Sequence, residues 1–171
     1  MISRRLAVFC LFLLVLAFLA GSLPARAGTL PLAGKVTWIY DGDTLKIQKV
    51  GKVRLLGIDA PEHEDSLRDR YYQRWKIPPS RLRAIAAEAR QFLLREVKGK
   101  QVTLTFDQVS RDKYDRLLVY LELPDGRLLN QVLLERGYAS VFRKFDFSRK
   151  NDFLRSEERA RKAGVGLWRQ P

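Results

Sequence analysis

Residues 35–58 decide the fold, and they read KVTWIYDGDTLKIQKVGKVRLLGI. Apolar residues first alternate with other residues, at Val36, Trp38 and Tyr40. The pair Asp41-Gly42 that follows is typical of a tight turn. Further strand-like stretches occupy residues 44–47 and 53–58, with Gly51 between them. Short apolar runs separated by turn residues predict three consecutive antiparallel strands.

Two further apolar runs, at residues 102–106 and 117–121, predict two more strands, and five strands indicate a small barrel or sandwich. Apolar residues also recur at helical spacing between the third and fourth strands, at Leu82, Ile85, Ala86, Ala89, Phe92, Leu93 and Val97. This stripe predicts a core helix behind Pro78-Pro79, with Ser80 as its cap. Shorter helices are predicted over 130–136 and 151–163, each ending at a glycine.

The beginning of the chain has the pattern of a secretory signal. Two arginines precede an apolar run over residues 6–20, and Ala25-Arg26-Ala27 has the small-x-small form of a signal peptidase site. An uncleaved membrane anchor is the alternative, but the run is shorter than the ~20 residues that a spanning helix needs. We therefore predict a cleavable signal peptide over 1–27 and a single domain over 28–171, exported to the periplasm or the medium.

The cysteine content of that domain excludes two kinds of site, and its charge indicates the class of molecule that it binds. The only cysteine, Cys10, lies in the apolar run, so residues 28–171 contain neither a disulfide nor a cysteine zinc site. Three arginines and no acidic residue lie in residues 1–27, which leaves residues 28–171 with a net charge of +10. Such a basic domain attracts polyanions, and nucleic acid is the leading candidate. Anionic envelope surfaces remain open as an alternative.

Three acidic residues and one arginine lie close together in the sequence, in and around the third predicted strand. Asp43 and Asp59 both lie at strand ends, where a hairpin fold can bring their oxygens together, and such hard ligands favour Ca²⁺ or Mg²⁺ over zinc. Glu62 and Arg54 could then act as base and phosphate clamp. The structural alternative is that Asp-Gly makes a turn and Asp-Ala-Pro-Glu ends a strand.

Several segments together, in order and spacing, resemble the staphylococcal nuclease or thermonuclease-like family over essentially the whole mature chain. They are Asp41-Gly42-Asp43-Thr44, Arg54 to Glu62, Asp112 to Arg116, the helix at Asn130 to Gly137, and Ser156-Glu157 with the terminal Leu167-Trp168. The resemblance implies a mainly β fold with helices (α+β): an OB-fold five-stranded β-barrel packed with about three α-helices.

The resemblance also implies a metal site. Asp43, Asp59 and the main-chain carbonyl of Ala60 would hold Ca²⁺, and Asp41 would support the site through water or outer contacts. Ala60 replaces a threonine that is frequent in the family, so a carbonyl ligand survives but a hydroxyl is lost.

Catalytic and binding roles follow from the same resemblance. Glu62 would take a proton from the attacking water or orient it, while Arg54 and Arg116 hold the phosphate and neutralise developing charge. Lys113 and Tyr114 would contact a neighbouring nucleotide phosphate. Two nearby residues have plainer interpretations: Asp112 as a cap of its turn, and His63 as an incidental loop residue.

Two segments depart from the family pattern. Where the family places two tyrosines around the base, residues 142–145 read FRKF, so those hydroxyls are absent. The stretch 63–79 is longer than in short family members and carries Tyr71, Tyr72 and Trp75. These aromatic residues are expected either to stack on single-stranded bases or to cover the barrel edge, and both interpretations stay open.

The sequence therefore predicts an exported, Ca²⁺-dependent endonuclease that hydrolyses DNA and RNA without sequence preference. By the resemblance it leaves 3′-phosphate ends. It is expected to be a monomer, and no protein partner is implied. The main alternative is a non-catalytic nucleic-acid-binding OB-fold module, and a third is an envelope-binding structural protein.

Overall fold

The computed structural model describes residues 31–169, so the signal peptide predicted over 1–27 lies outside the described residues. Within these residues seven strands form, at β1 Leu32–Ile39, β2 Thr44–Ile47, β3 Gly51–Leu55, β4 Ile58–Asp59, β5 Gln101–Thr105, β6 Leu117–Glu122 and β7 Ser140–Val141. Five of them close a barrel in the order β1-β2-β3-β6-β5, in which β3 and β6 are parallel and the other described pairs antiparallel. This architecture confirms the predicted five-stranded barrel.

The alternation along β1 is interrupted by a bulge. The pairing with β2 shifts between Val36 and Trp38, so that Val36 and Ile39 point into the barrel while Trp38 and Tyr40 are exposed. A bulge inserts one residue and thereby changes the face that the following side chains occupy. The sequence alternation of Val36, Trp38 and Tyr40 therefore does not mark one buried face.

The third predicted strand is shorter than expected. It was predicted to run to Ile58 but β3 ends at Leu55, because Gly57 turns the chain at φ +80. A Cβ at Gly57 would lie 2.6 Å from the ring of Phe147, so the turn needs both the positive φ and the missing side chain. After this turn, β4 pairs with β7 instead of extending the barrel, and Asp59 lies opposite Ser140.

In the described part of the chain three α-helices pack around the barrel, as predicted: α1 Pro79–Glu96, α2 Leu129–Glu135 and α3 Lys150–Lys162. The predicted apolar stripe of α1 is buried, including Leu82, Ala89 and Leu93. Ser80 is not the cap, however, because Pro78 occupies that position and the helix begins at Pro79. Proline suits the first helical turn because it has no N–H to leave unbonded. No helix within residues 31–169 combines the length and apolar character needed to cross a membrane.

Between β4 and α1 the chain forms two short 3₁₀ helices, Leu67–Tyr71 and Gln73–Trp75. We call residues 66–76 the insert. The Ser66 hydroxyl caps the first of these helices by accepting from the N–H of Arg68. Tyr72 anchors the insert in a small second core with residues of α1 and with Leu167. This anchoring places the side chains of the insert beside the end of β4.

Candidate functional site

The guanidinium of Arg54 joins two buried carboxylates. Its Nη1 donates to Asp43 Oδ1 at 2.6 Å and its Nη2 donates to Asp59 Oδ1 at 3.0 Å. The barrel creates this arrangement because Arg54 pairs with Thr44 across β2 and β3, directly beside Asp43, while the turn at Gly57 returns the chain to Asp59. The structure thus brings together three of the predicted site residues, Asp43, Arg54 and Asp59.

Asp43 is held on both oxygens. Its Oδ1 also accepts from the Thr44 hydroxyl, and its Oδ2 accepts from the N–H of Ala60 at 3.1 Å. Burial alone would raise the pKa of Asp43, but Arg54 and the Ala60 N–H outweigh it and the pKa is lowered. The main chain at Ala60 therefore stabilises the ionised form of Asp43.

Asp41 supports the same turn from the other side. Its Oδ1 accepts from the N–H of Asp43 at 2.9 Å. Burial, and then the charge of Asp43, raises the pKa of Asp41 to about 7. Gly42 lets this turn approach Ala60, the residue after β4, because a Cβ at position 42 would lie 2.7 Å from the Cβ of Ala60. The Asp-Gly-Asp segment is thus both a turn and part of the carboxylate cluster.

Glu62 is half-buried beside this cluster. Burial, and then the charge of Asp43, raises its pKa, while Arg54 and Arg116 act in the opposite direction. Glu62 Oε1 accepts from Nη1 of Arg68 at 2.8 Å, and Nη2 of Arg68 also contacts Asp59 Oδ1. Arg68 therefore links Glu62 to the carboxylate pair.

Arg116 is oriented by its own turn. Asp112 Oδ1 accepts from the main-chain N–H groups of Tyr114 and Arg116, and Asp112 Oδ2 accepts from Nε of Arg116 at 2.7 Å. The interpretation of Asp112 as a turn cap is thereby confirmed. Lys113 and Tyr114 lie at the exposed tip, with the Lys113 ammonium 4.8 Å from the centre of the Tyr114 ring.

The cationic side chains described above line one cavity of about 640 Å³. Its basic and aromatic lining includes Arg54, Arg68, Lys113, Tyr114, Arg116, Phe142 and Phe145. Phe142 and Phe145 lie 5.2 Å apart between ring centres, so one wall is apolar. A pocket with convergent guanidinium groups and an aromatic wall suits a phosphate joined to a flat apolar group.

The insert does not supply a stacking platform at Tyr72. That side chain is 1% exposed, and its hydroxyl donates to the main-chain oxygen of Asp59 at 2.9 Å and approaches Asp59 Oδ2 at 3.3 Å. Burial raises its pKa. Trp75 packs edge-on against Trp168, and Tyr71 bonds through its hydroxyl to the carbonyl of Val141. The structure favours the covering interpretation and excludes base stacking on Tyr72.

The donors present suit a hard cation. Asp43 and Asp59 are both 2% exposed and offer only oxygen atoms, which Ca²⁺ and Mg²⁺ prefer. Within residues 31–169, no three His, Cys, Asp or Glu side chains are grouped closely enough to form a metal site by themselves. A cation held by Asp43 and Asp59 therefore needs further ligands from the main chain and from water. The main-chain carbonyl of Ala60 is the ligand of this kind that the family resemblance implies.

Two residues that contact the site, Arg68 and Tyr72, belong to no motif of the sequence. Arg68 lies in the long stretch 63–79 without a distinguishing motif, and the sequence leaves Tyr72 open between stacking on bases and covering the barrel edge. Both reach Asp59 from the insert, nine and thirteen residues along the chain. The proximity of this insert to the predicted site was a usable signal, but nothing in the sequence tells which of its side chains point inward. His63, by contrast, is exposed, and partial burial and Arg90 lower its pKa.

Comparisons with known proteins show one matching family and several relatives. A family model described as staphylococcal nuclease homologue matches residues 52–170. An uncharacterized protein of Methanocaldococcus jannaschii is 36% identical, over 79% of this chain and 70% of that protein. An uncharacterized endonuclease of Escherichia coli O157:H7 is 32% identical, over 79% of this chain and 76% of that protein. A thermonuclease of Staphylococcus hyicus is 25% identical, over 95% of this chain and 94% of that protein.

Proposed function

Because the chain belongs to the staphylococcal nuclease family, we propose that it is an exported, Ca²⁺-dependent endonuclease that cleaves DNA and RNA without sequence preference. Family membership supports a nuclease, that is, a hydrolase of phosphodiester bonds. One observation carries the proposal for this chain: the carboxylates of Asp43, Asp59 and Glu62 lie around Arg54 and Arg68, which also line the basic cavity.

Substrate binding is assigned to the cavity. Arg54 and Arg116 contact the phosphate to be cleaved, and Lys113 with Tyr114 contacts a neighbouring phosphate. Phe142 contributes to an apolar wall for the base, without the hydroxyls that the family tyrosines provide. Contacts to phosphate carry no base sequence, so such a cavity accepts DNA and RNA of any sequence.

Glu62 is assigned as the group that accepts a proton. Its raised pKa, caused by burial and by Asp43, makes it a better base than an ordinary exposed glutamate. The water that attacks phosphorus gives its proton to the Glu62 carboxylate. Arg54 and Arg116 then donate to the phosphoryl oxygens as negative charge develops there. The bond between phosphorus and the 5′-oxygen breaks, and this oxygen takes up a proton from solvent as it leaves, which gives a 3′-phosphate and a 5′-hydroxyl end, as the family resemblance implies.

Asp43 and Asp59 are assigned as carboxylate ligands of Ca²⁺, with the carbonyl of Ala60 as a third protein ligand. When bound, the cation supplies positive charge next to the phosphate and favours attack by water. The residues of the chain prepare this position: Arg54 and the Ala60 N–H keep Asp43 ionised, and the Tyr72 hydroxyl fixes Asp59. Ca²⁺ is preferred to Mg²⁺ on family resemblance.

The remaining parts of the proposal rest on the sequence. Residues 1–27 have the pattern of a signal peptide, so the mature enzyme is assigned to the periplasm or the medium. Its high positive charge matches a nucleic-acid substrate. We assign a monomer that needs no protein partner. The second candidate function is a non-catalytic OB-fold module, which the same basic cavity could also serve.

The test is digestion of single-stranded DNA, duplex DNA and RNA by residues 28–171, with Ca²⁺, with Mg²⁺ and with excess chelator. We expect cleavage that requires Ca²⁺, yields 3′-phosphate ends and falls about a hundredfold or more in Glu62→Gln, as expected for loss of a general base. Glu64→Gln is the matched control, because Glu64 is an exposed glutamate two residues away. Tight binding without cleavage under any metal would overturn the enzyme and favour the binding module.

A further inference from the structure

The outer face of the barrel carries a row of basic and aromatic side chains across three strands. The strand register places Trp38 of β1 opposite Lys46 of β2, and Lys46 opposite Lys52 of β3. Directly opposed residues of antiparallel strands point to the same face, and all three are exposed. With Tyr40 and Lys98, these residues form what we call the lysine–aromatic face.

Two large aromatic rings of this face are open to solvent. Trp38 is 49% exposed and Tyr40 is 38% exposed. Each has an ammonium group near its ring: Lys98 Nζ lies 5.4 Å from the centre of the Trp38 ring, and Lys52 Nζ lies 4.4 Å from the centre of the Tyr40 ring. Paired aromatic and cationic groups of this kind match a nucleotide, since the ring can stack on a base while the cation meets its phosphate.

The positive charges of the face are not neutralised by neighbouring carboxylates. Among the ion pairs formed within residues 31–169, none includes Lys46, Lys52 or Lys98. Arginines elsewhere in the protein, such as Arg54 and Arg116, are in contrast paired with aspartates. Unpaired lysines beside exposed aromatic rings are complementary to a polyanion.

The face begins beside the candidate active site but is separate from its cavity. Tyr40 immediately precedes the Asp-Gly-Asp turn, and the N–H groups of Tyr40 and Asp41 both reach the carbonyl of Thr44. The lining of the 640 Å³ cavity includes none of the five residues of the face. A nucleic-acid strand that leaves the carboxylate cluster past the Asp-Gly-Asp turn would therefore meet the Tyr40 ring first.

We propose that the lysine–aromatic face is a second nucleic-acid-binding surface, which holds an unpaired stretch of the polymer outside the catalytic cavity. Single strands are the favoured ligand because only unpaired bases expose their faces for stacking on Trp38 and Tyr40. The proposal rests on the proposed function for its biological role. Binding to the face does not itself require cleavage.

Binding without cleavage is measured first, by fluorescence anisotropy of a labelled oligothymidine of about 30 nucleotides, in chelator. We expect the Kd of Trp38→Ala/Tyr40→Ala to rise about tenfold, as loss of one or two stacked bases would cause. Because both side chains are exposed, the variant should fold, which circular dichroism checks. An unchanged Kd in the folded variant would overturn the proposal, whether or not the wild type proves to be a nuclease.

Salt dependence tests the lysines separately. For single strands each phosphate contact contributes about 0.7 to the slope of log K against log salt, so replacing Lys46, Lys52 and Lys98 with Gln should reduce the slope by about 2. The charge-matched control replaces three exposed basic residues of α3, Arg155, Arg159 and Lys162, with Gln. An equal loss of slope in both variants would show a general effect of charge and contradict a defined surface.

Catalytic measurements then distinguish the face from the cavity. Loss of Trp38 and Tyr40 should raise KM for a long single strand about tenfold with kcat unchanged, while kcat/KM for a dinucleotide stays constant. A parallel loss on the dinucleotide would place these residues in the cavity and overturn the proposal. Vesicles of anionic phospholipid test the other polyanion: if the lysine variant loses vesicle binding but keeps oligonucleotide binding, the face is a membrane surface.

Discussion

Arg68 donates to Glu62 Oε1 at 2.8 Å, and the same guanidinium contacts Asp59 Oδ1. Both acceptors belong to residues that we assign to the reaction, Glu62 as base and Asp59 as a metal ligand. The side chain of Arg68 is 40% exposed and sits on a short 3₁₀ helix, so it can move without disturbing the barrel. If a cation binds as proposed, Arg68 is therefore expected to compete with it for the oxygens of this site.

Replacing Arg68 with Ala should strengthen Ca²⁺ binding. A hydrogen bond to a charged group contributes about 1.5–3 kcal/mol, and about 1.4 kcal/mol corresponds to a tenfold change in affinity. We therefore expect the Kd for Ca²⁺ to fall by about tenfold, measured by titration calorimetry without nucleic acid.

The matched control is Arg70→Ala. Arg70 lies on the same 3₁₀ helix, is exposed, and forms no ion pair within the described part of the chain. Its removal takes away the same charge but no contact with the site, so the Kd should change by less than about twofold. If Arg68→Ala left Ca²⁺ affinity unchanged or weakened it, the competition model would be wrong.

Tyr72 is expected to position Asp59 through its hydroxyl. Tyr72→Phe keeps the buried ring but removes the bond to the main-chain oxygen of Asp59 and the approach to its carboxylate. One neutral hydrogen bond is worth about 0.5–1.5 kcal/mol, so kcat should fall about three- to tenfold at saturating Ca²⁺. Tyr71→Phe is the control, because it loses a similar bond to Val141 and should cost similar stability without lowering kcat. Equal losses of kcat in both variants would mean that the effect is merely structural.

The sequence predicted the barrel well because its signals are local. Short alternating runs, the Asp41-Gly42 turn and the apolar stripe of α1 each depend on residues close in the chain. The structure differs from the prediction where contacts between residues distant in the chain decide the local conformation. The bulge after Val36 turns Trp38 outward, and Gly57 ends β3 because Phe147 packs against it. Neither contact is visible in the sequence of one chain.

The residues of the candidate site were predictable where they belong to sequence motifs, and not where they belong to the insert. Motif spacing identified Asp43, Arg54 and Asp59, and the structure joins them through one guanidinium. The insert was harder to interpret, because an aromatic side chain in a loop can equally face solvent or core. Tyr72 faces the core and Asp59, and only the packing of residues 66–76 against α1 shows this.

Glu157 is expected to be a structural residue on which β7 depends. Its side chain is 1% exposed, accepts from the N–H of Val141 at 2.9 Å, and forms an ion pair with Arg143. Glu157→Ala leaves the buried N–H of Val141 without its acceptor and the partly buried guanidinium of Arg143 without its ion pair, so we expect the free energy of unfolding to fall by about 3–5 kcal/mol. Urea denaturation measures this loss.

The neighbouring Glu158 provides the control for Glu157. Glu158 lies on the exposed face of α3, and its only ion pair with another described residue is a 3.6 Å contact with Lys162 at the surface. Glu158→Ala should change the free energy of unfolding by no more than about 0.5 kcal/mol. A loss below about 1 kcal/mol for Glu157→Ala would show that solvent replaces the lost bonds and that β7 is not held by this carboxylate.

Asp107 should make the stability of the fold depend on pH. Partial burial would by itself raise its pKa, but bonds donated by the Ser148 N–H and the Tyr120 hydroxyl, both 2.7 Å long, lower the pKa to about 2. Because the folded pKa lies below the ordinary value of 3.8, folding favours the ionised form. The stabilisation is therefore complete above about pH 5 and is lost as the pH falls towards 2.

Asp107→Asn isolates this contribution, because the amide keeps the shape of the side chain but does not titrate. We expect the variant to be less stable than the wild type at neutral pH by about 1 kcal/mol, a modest value since Asp107 is largely exposed to screening by solvent. The difference should vanish as the pH approaches 2. Urea denaturation of both proteins between pH 7 and pH 2 measures it, and other carboxylates cancel in the difference. A difference that stays constant with pH would mean that the ionisation of Asp107 does not hold the end of β5 to the segment before α3.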